Sequence, residues 1–547
     1  MNKKVLILLP TLAVVGLTTV GCRKKISDSD DPTKANLHVR TLNKGIGTKW
    51  LENAAEAFEK LYADATDFQS GRTGVKIHII GDEKCDGNYL NNNVLNDDVY
   101  FTEQVDYRDL INKGKLLDIS DIMAQDLSNY GDEANKTILS KLDSTMENYL
   151  NVSGKYYGIP FYDSFYGFVY DVTFWKENEL YLSTDPAEPF VKYDDPRITV
   201  GSDGVAGTPD DGLPSTYEEF GALIKEIHDI GHTPFITAKN TEEYVADYLN
   251  NVVADYEGVD NYVLNLTLNG TATDLVKTAD ENGNALEMEA PTVITQNNGY
   301  ELTKQAGRLS ALSFLKNQML NQGTESYRIV DTHTTAQREF VSKDNSSGRQ
   351  DVGMILEGSW WENEAKAVIE SEAKKSGARD FAIMPIPFAN AAKAEASNHR
   401  HTYLSLSQSF GVVSTNCANV KLAKEFMKFL HSDKMLSKFT ADTSITRPLN
   451  YVVSPEDQVN LSTYAKSLIY LKQHSDIVYP YSSLQIEVNN PSYFKHYHFI
   501  WKAKVGSLGT TYNHPWEYYR KNANASCSEY FNGQYSLFSS SWNNLAK

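Results

Sequence analysis

The chain has 547 residues, whereas a single hydrophobic core stops growing near ~250–300 residues, so more than one domain is required. With 41% hydrophobic and 22% charged residues the composition excludes wholesale disorder. The 52 Lys plus Arg against 71 Asp plus Glu leave a formal charge of −19, and no basic stripe follows the short N-terminal clusters, which argues against nucleic acid as a partner.

Residues 1–21 have the layout of a secretory signal: Lys3-Lys4, an apolar run from Val5 to Val20, then Gly21 before Cys22. The run is shorter than the ~20 apolar residues of a membrane-spanning helix, so cleavage rather than permanent anchoring is expected. Thr19-Val20-Gly21-Cys22 resembles a bacterial lipobox, with Thr19 where that pattern usually carries Leu. The resemblance implies acylation of Cys22, and two or more acyl chains at ~0.8 kcal/mol per buried methylene hold a protein stably at a membrane. The mature chain would then sit lipid-anchored on the extracytoplasmic face of the cell membrane. Residues 22–36, rich in Ser, Asp, Lys and Pro, read as a flexible tether.

Beyond the tether, Leu37 and Val39 alternate with polar neighbours, Asn43 to Thr48 turn, and Leu51, Ala54, Ala55, Phe58 and Leu61 recur at helical spacing. Val75, Ile77 and Ile79 follow at period two, and Val99-Tyr100-Phe101 is a short β-rich run. Strands alternating with helices predict an α/β domain with a largely parallel sheet, whose ligand loops lie beyond strand ends, at Asn43–Thr48 and Thr102–Asp106. A second α/β pattern begins after Pro160 with Phe168-Val169-Tyr170. Its first long helix is expected after a capping box of Ser215 and Glu218, carries Phe220, Leu223, Ile224 and Ile227 as a core stripe, and stops at Gly231. Glu243 to Asn321 reads as an elaboration of this domain, and the chain beyond Ser492 is rich in aromatics, among them Tyr493, Phe494, Tyr497, Phe499 and Trp501.

The search for chemistry is mostly negative. No nucleophile elbow, phosphate loop or dinucleotide fingerprint occurs. The pairs His399/His401 and His496/His498 are expected to be ordinary surface or core residues, and Cys85, Cys417 and Cys527 allow one disulfide and one thiol without choosing between pairings. Glycoside hydrolysis needs two carboxylates flanking a bond, and with 71 acidic residues composition leaves that open. One loop, Ser202 to Gly212, clusters Asp203, Asp210 and Asp211 among glycines, a composition that could hold calcium or fold as a plain turn. No other cofactor is expected.

In order along the chain, Asn43 to Trp50, Asp98-Val99-Tyr100-Phe101, Tyr157-Gly158-Ile159-Pro160 leading to Tyr170-Asp171, and Ser215 to Phe220 match one pattern. It continues through Gly353 to Trp361, Pro385-Ile386-Pro387 and the helix with Ala423-Lys424-Glu425-Phe426. Together these resemble the family 1 extracellular solute-binding proteins, the carbohydrate receptors of bacterial ABC importers, with Asp171 where the family usually has Asn. The acidic loop before Leu213-Pro214 is similar to one in a Gram-positive subset. The resemblance implies an α/β, two-lobe periplasmic-binding-protein-like fold with a hinge and an interlobe ligand cleft. The first lobe would comprise 36–160 plus 405–455 and the second 161–404 plus 456–547. A monomer is expected, handing a sugar or oligosaccharide to ABC permease subunits, with a surface-anchored glycoside hydrolase as the alternative. Carried onto this sequence, the family pattern places Asn43, Lys44, Tyr162, Asp163, Tyr166, Ser359, Trp360, Trp361 and Arg447 at the ligand, with Trp360 stacking on a sugar ring, one of the two tryptophans expected to be core, and Trp501 as a weaker candidate.

Overall fold

The structure is a computed structural model describing residues 30–547 apart from 322, 324–325, 343–349, 483, 485, 487–489, 491–500, 523 and 546–547. The leader and Cys22 lie outside the described residues, as do Tyr493, Phe494, His496, Tyr497, His498 and Phe499. No described helix is long and apolar enough to cross a membrane.

Two five-stranded sheets organise the chain. The first contains β1 (Ala35–Leu42), β2 (Val75–Asp82), β3 (Val99–Thr102) and β4 (Gly158–Pro160). The second contains β5 (Tyr166–Asp171), β6 (Thr233–Ala238), β7 (Tyr327–Val330), β8 (Val352–Gly358) and β9 (Phe381–Ile383) in the order β7-β6-β8-β5-β9. After β10 (His401–Leu404) the chain returns to the first sheet as β11 (Phe410–Val413), giving the order β2-β1-β3-β11-β4. β12 (Ser475–Val478) then pairs in parallel with β10.

Four of the five strands in each sheet run in one direction, as expected of a largely parallel sheet, and one strand in each is reversed. β11 runs antiparallel to β3 and β4, and β5 antiparallel to β8 and β9. The reason is topological. β1, β3, β6 and β8 run toward the ends that carry the ligand loops, whereas β5 and β11 follow crossings from the other lobe and so start at those ends.

Each sheet is covered by amphipathic helices. α1 (Lys49–Leu61) buries Trp50, Leu51, Ala54, Ala55 and Phe58 on the first sheet. α2 (Tyr217–Asp229) buries Phe220, Leu223, Ile224 and Ile227 on the second. Its capping box is Thr216 with Glu219, one residue beyond the Ser215/Glu218 pair expected from sequence. Thr216 adopts the extended backbone of an N-cap, and the Glu219 carboxylate accepts from the N–H of both Ser215 and Thr216. The segment read as an elaboration contains α3 (Glu243–Thr267), which instead packs Val245, Leu249, Val252 and Val253 into the core of the second lobe. Gly258, with φ 70, breaks its helical geometry.

One core runs through residues 35–162, 410–449 and Tyr479/Tyr481, and the other gathers Phe165 to Leu406 with Tyr464, Trp501, Trp516 and Trp542. The chain passes between them at 162–165, 406–410 and 449–464; α4 (Trp361–Ser376) and α6 (Thr463–Gln473) belong to the second lobe and α5 (Val420–Leu430) to the first. The tether reading extended to residue 36, but β1 starts at Ala35, and Asn36 is fixed on the Asp31 N–H and on the carbonyls of Asp31 and Lys34.

Candidate functional site between the lobes

Strand direction brings the ends of β1, β3 and β8 and the start of β5 to one place. Asn43 and Lys44 follow β1 and are exposed, Glu103 follows β3, and Tyr166 opens β5 directly opposite Gly358 at the end of β8. Ser359 and Trp360 come next. Tyr244, in the first turn of α3, is delivered by the end of β6.

Trp360 is the centre of this surface. Its ring meets Tyr166 edge-on with centroids 5.3 Å apart and Tyr244 at 6.0 Å, the geometry aromatic quadrupoles favour. It also reaches the other lobe, where a Cβ at Gly45 would lie 2.9 Å from Trp360 Cδ1. Asn363 Nδ2 donates to Gly45 O across the same gap at 2.5 Å, and Ser444 Oγ donates to Glu362 at 2.5 Å. The lobes therefore touch at Trp360 and its immediate neighbours.

Acidic groups surround the aromatics. Tyr162 hydroxyl donates to Glu103, and burial pushes the Glu103 carboxyl up, with Lys44 opposing and Asp86 and Glu364 reinforcing the shift. Gln337 Nε2 donates to Glu364 at 2.6 Å. Behind it Glu357, fully enclosed, is pushed up to about 8 by burial and then by the charge of Glu364. Burial and the nearby Glu243 likewise drive the Asp247 carboxyl well above the carboxylate range.

Other expected site residues are placed elsewhere. Trp361 is fully buried against Phe340, Phe381 and Tyr464 and presents no face to a ligand. Its neighbour Trp360, two residues past the end of β8, is the N-cap of the helix that Trp361 opens, and its ring turns instead toward Tyr166, Tyr244 and Gly45. Ser359 is also buried, its hydroxyl donating to Asp163 O at 3.0 Å. Arg447 lies inside the first lobe, its guanidinium 4.2 Å from the Phe439 centroid and 5.0 Å from Trp50, so it serves the core rather than the cleft. Its Nη1 donates to His431 Nε2, leaving the His431 Nδ1 proton to Met427 O; burial and then Arg447 hold that imidazole neutral. Trp501 is core too, donating to Asn250 Oδ1 at 2.6 Å.

Successive residues of the 162–165 crossing serve opposite sides. Tyr162 points to Glu103, whereas buried Asp163 accepts from Thr446 Oγ1 and Lys472 Nζ, each at 2.7 Å. On that second side lies a groove of about 580 Å³ lined by Thr145, Val259, Arg400, Thr446, Tyr451 and Lys472. It lies away from the strand ends and their aromatic cluster, and the cleft is the better candidate site.

The acidic loop closes on protein donors. Asp210, buried, accepts from Ser202 N, Asp203 N and the Ser202 and Thr208 hydroxyls; Asp211 accepts from Gly207 N; Asp203 accepts from Val205 N and the Tyr470 hydroxyl. All three carboxylates thus accept from protein N–H and O–H donors of the loop and its surroundings. His401 bridges Asp255 and Ser202, and His399 lies 3.0 Å from Ser202 O, so this pair fastens the loop. Cys85, Cys417 and Cys527 are unpaired.

Glu103, Tyr244, Asn363 and Glu364 were not singled out from the sequence. Glu103 falls in the Thr102–Asp106 loop predicted at a strand end, so position could have found it. Tyr244 carried no signal, because only the packing of α3 turns its first turn toward Trp360.

Two α/β lobes joined by crossing segments and meeting over their strand ends define a two-lobe solute-binding protein. The chain belongs to the bacterial extracellular solute-binding protein family, whose pattern matches residues 49–435. Among solved structures, it is similar to the GacH receptor of Streptomyces glaucescens, described unliganded and with acarbose, at 15% identity and TM-score 0.54 over 93% of this chain and 99% of that one. RafE in complex with raffinose, a protein of Streptococcus pneumoniae, matches at 15% identity and TM-score 0.52 over 94% and 100%. UgpB of Mycobacterium tuberculosis, in complex with glycerophosphocholine, matches at 12% and 0.54 over 94% and 100%. A sequence search of curated proteins finds no match.

Proposed function

We propose that this solute-binding protein is a lipid-anchored receptor that captures a sugar or oligosaccharide between its lobes and delivers it to an ABC permease. The observation that carries the reading is the cleft wall itself: Trp360, Tyr166 and Tyr244 offer aromatic faces and edges, and Glu103, Glu364 and Gln337 offer planar polar groups at the same strand ends. Aromatic surface suits the C–H faces of a pyranose, and the polar groups suit its hydroxyls. Closure that brings Gly45 onto Trp360 would be favoured by a ligand touching both lobes, because a ligand shifts an equilibrium by its differential affinity. The permease would read that closure and ATP would be hydrolysed on another subunit. The lipid anchor rests on Gly21-Cys22 behind the apolar run; Cys22→Ser is expected to release the protein from membranes, and continued tight association would remove that part of the reading.

The test is the melting temperature of the soluble mature form across mono- and oligosaccharides and non-sugar solutes, with the sugars analysed afterwards. Ligand at 100 times its Kd stabilises by ~2.7 kcal/mol. A shift with one glycan class, returned intact, is the expected result. Shortened products, abolished by Glu103→Gln or Glu364→Gln, would support the hydrolase alternative, and a shift with non-sugar solutes alone would overturn the choice of cargo.

A further inference from the structure

Far from the cleft, the first lobe carries a group of metal-ligating side chains that nothing in the binding function uses. His38 of β1 and His78 of β2 are directly paired across the parallel ladder, so both imidazoles project on the same side of the sheet. Both residues are buried, at 6% exposure each, and their rings stack with centroids 4.9 Å apart and planes 15° apart. Asp30, just before β1, brings a carboxylate oxygen to 2.9 Å from His38 Nε2. One ligand atom from each of the three lies within 4.8 Å of the others.

We propose that Asp30, His38 and His78 form a binding site for a divalent transition-metal ion, with zinc the best match, that clips the start of the chain onto the first lobe. Two imidazoles and one carboxylate are the donor set of borderline ions such as zinc, nickel and copper, whereas calcium and magnesium take oxygen. Ligand bonds of ~2.0–2.1 Å place tetrahedral donors about 3.4 Å apart, so on binding the donors draw together from within 4.8 Å and the stacked rings turn so that their in-plane lone pairs converge. The Asp30 side chain is 62% exposed, which leaves solvent access for a water as the fourth ligand.

The surroundings support ligation. Asp98 accepts from the His38 backbone N–H at 2.8 Å and lies 3.5 Å from His38 Nδ1, placed to orient that ring from behind. Asn36 Oδ1, 2.9 Å from His78 Nε2, is itself held by the Asp31 N–H. His38 lies in the middle of β1, five residues upstream of Asn43, which follows the strand, about 16 Å at ~3.3 Å per residue, so the site is well separated from the cleft. An ion there would pin the point where the tether enters the lobe without touching the cleft.

The experiment uses the full-length chain purified in detergent and stripped with EDTA, then titrated with zinc chloride while bound metal, melting temperature and tryptic cleavage after Lys34 are followed. One equivalent of zinc, a higher melting temperature and slower cleavage are expected, with affinity lowered about tenfold or more in His78→Gln and in Asp30→Asn. Asp30 is exposed, so its variant reports even if His78→Gln fails to fold. Absence of binding at micromolar zinc, or equal affinity in Asp30→Asn and the parent chain, would overturn the proposal.

Discussion

At the scale of single residues, Trp360 and Glu357 carry opposite kinds of information. Trp360 is half-buried between lobes, and its exposed ring surface is what a sugar would cover. Trp360→Ala is expected to weaken binding of the cognate glycan by roughly 1–3 kcal/mol, measured by calorimetry, on the scale of truncating an aromatic anchor; unchanged affinity would reassign the ring to packing between the lobes. Glu357 is enclosed, and its carboxyl pKa rises on folding from 4.5 to about 8. The folded chain therefore binds that proton more tightly than the unfolded one, and stability falls as pH rises through the window from about 4.5 to 8. Melting temperatures followed over that window should decline, and Glu357→Gln, which keeps the shape and the hydrogen bonding to Gln337, should flatten the decline.

Secondary elements carry the next set of expectations. The reciprocal Thr216/Glu219 cap satisfies the first turn of α2, so Thr216→Ala should cost about 1 kcal/mol in denaturant unfolding. Ser215→Ala, one residue earlier, should cost less, because Ser215 contributes its backbone N–H and not its hydroxyl to the cap. The Ser202–Gly212 loop has its carboxylates occupied by N–H and O–H donors, and millimolar calcium is expected to leave the melting temperature unchanged. A calcium-dependent rise that Asp210→Asn removes would show that the oxygens can turn from those donors to an ion.

For the whole molecule, the informative contact is Gly45 against Trp360. Gly45 has φ 34, a left-handed conformation that L side chains rarely adopt, and a Cβ would press on the indole from the facing lobe. Gly45→Ala should hold the lobes apart: with saturating glycan its radius of gyration by small-angle scattering should remain that of the ligand-free chain, and affinity should fall. If the variant contracts like the parent, closure does not pass through this contact.

Local sequence determined more of the architecture than of the site. Alternation in Leu37 and Val39, the 3.6-residue stripes of α1 and α2, and the turn at Asn43–Thr48 specify two α/β patterns, because burying one face of each element is a local requirement. The order of motifs carried the family. The same local signals cannot tell Trp360 from Trp361, or show that Arg447 ends among Phe439 and Trp50, because which side of a strand end faces the other lobe depends on pairings far along the chain. They missed Glu103's link to Tyr162 and the position of Tyr244 for the same reason. The antiparallel placement of β5 and β11 was decided by the crossings, and the pairing of His38 with His78 by the register of β1 on β2. Elements are written in nearest neighbours; the cleft and the histidine pair exist only where distant strands meet.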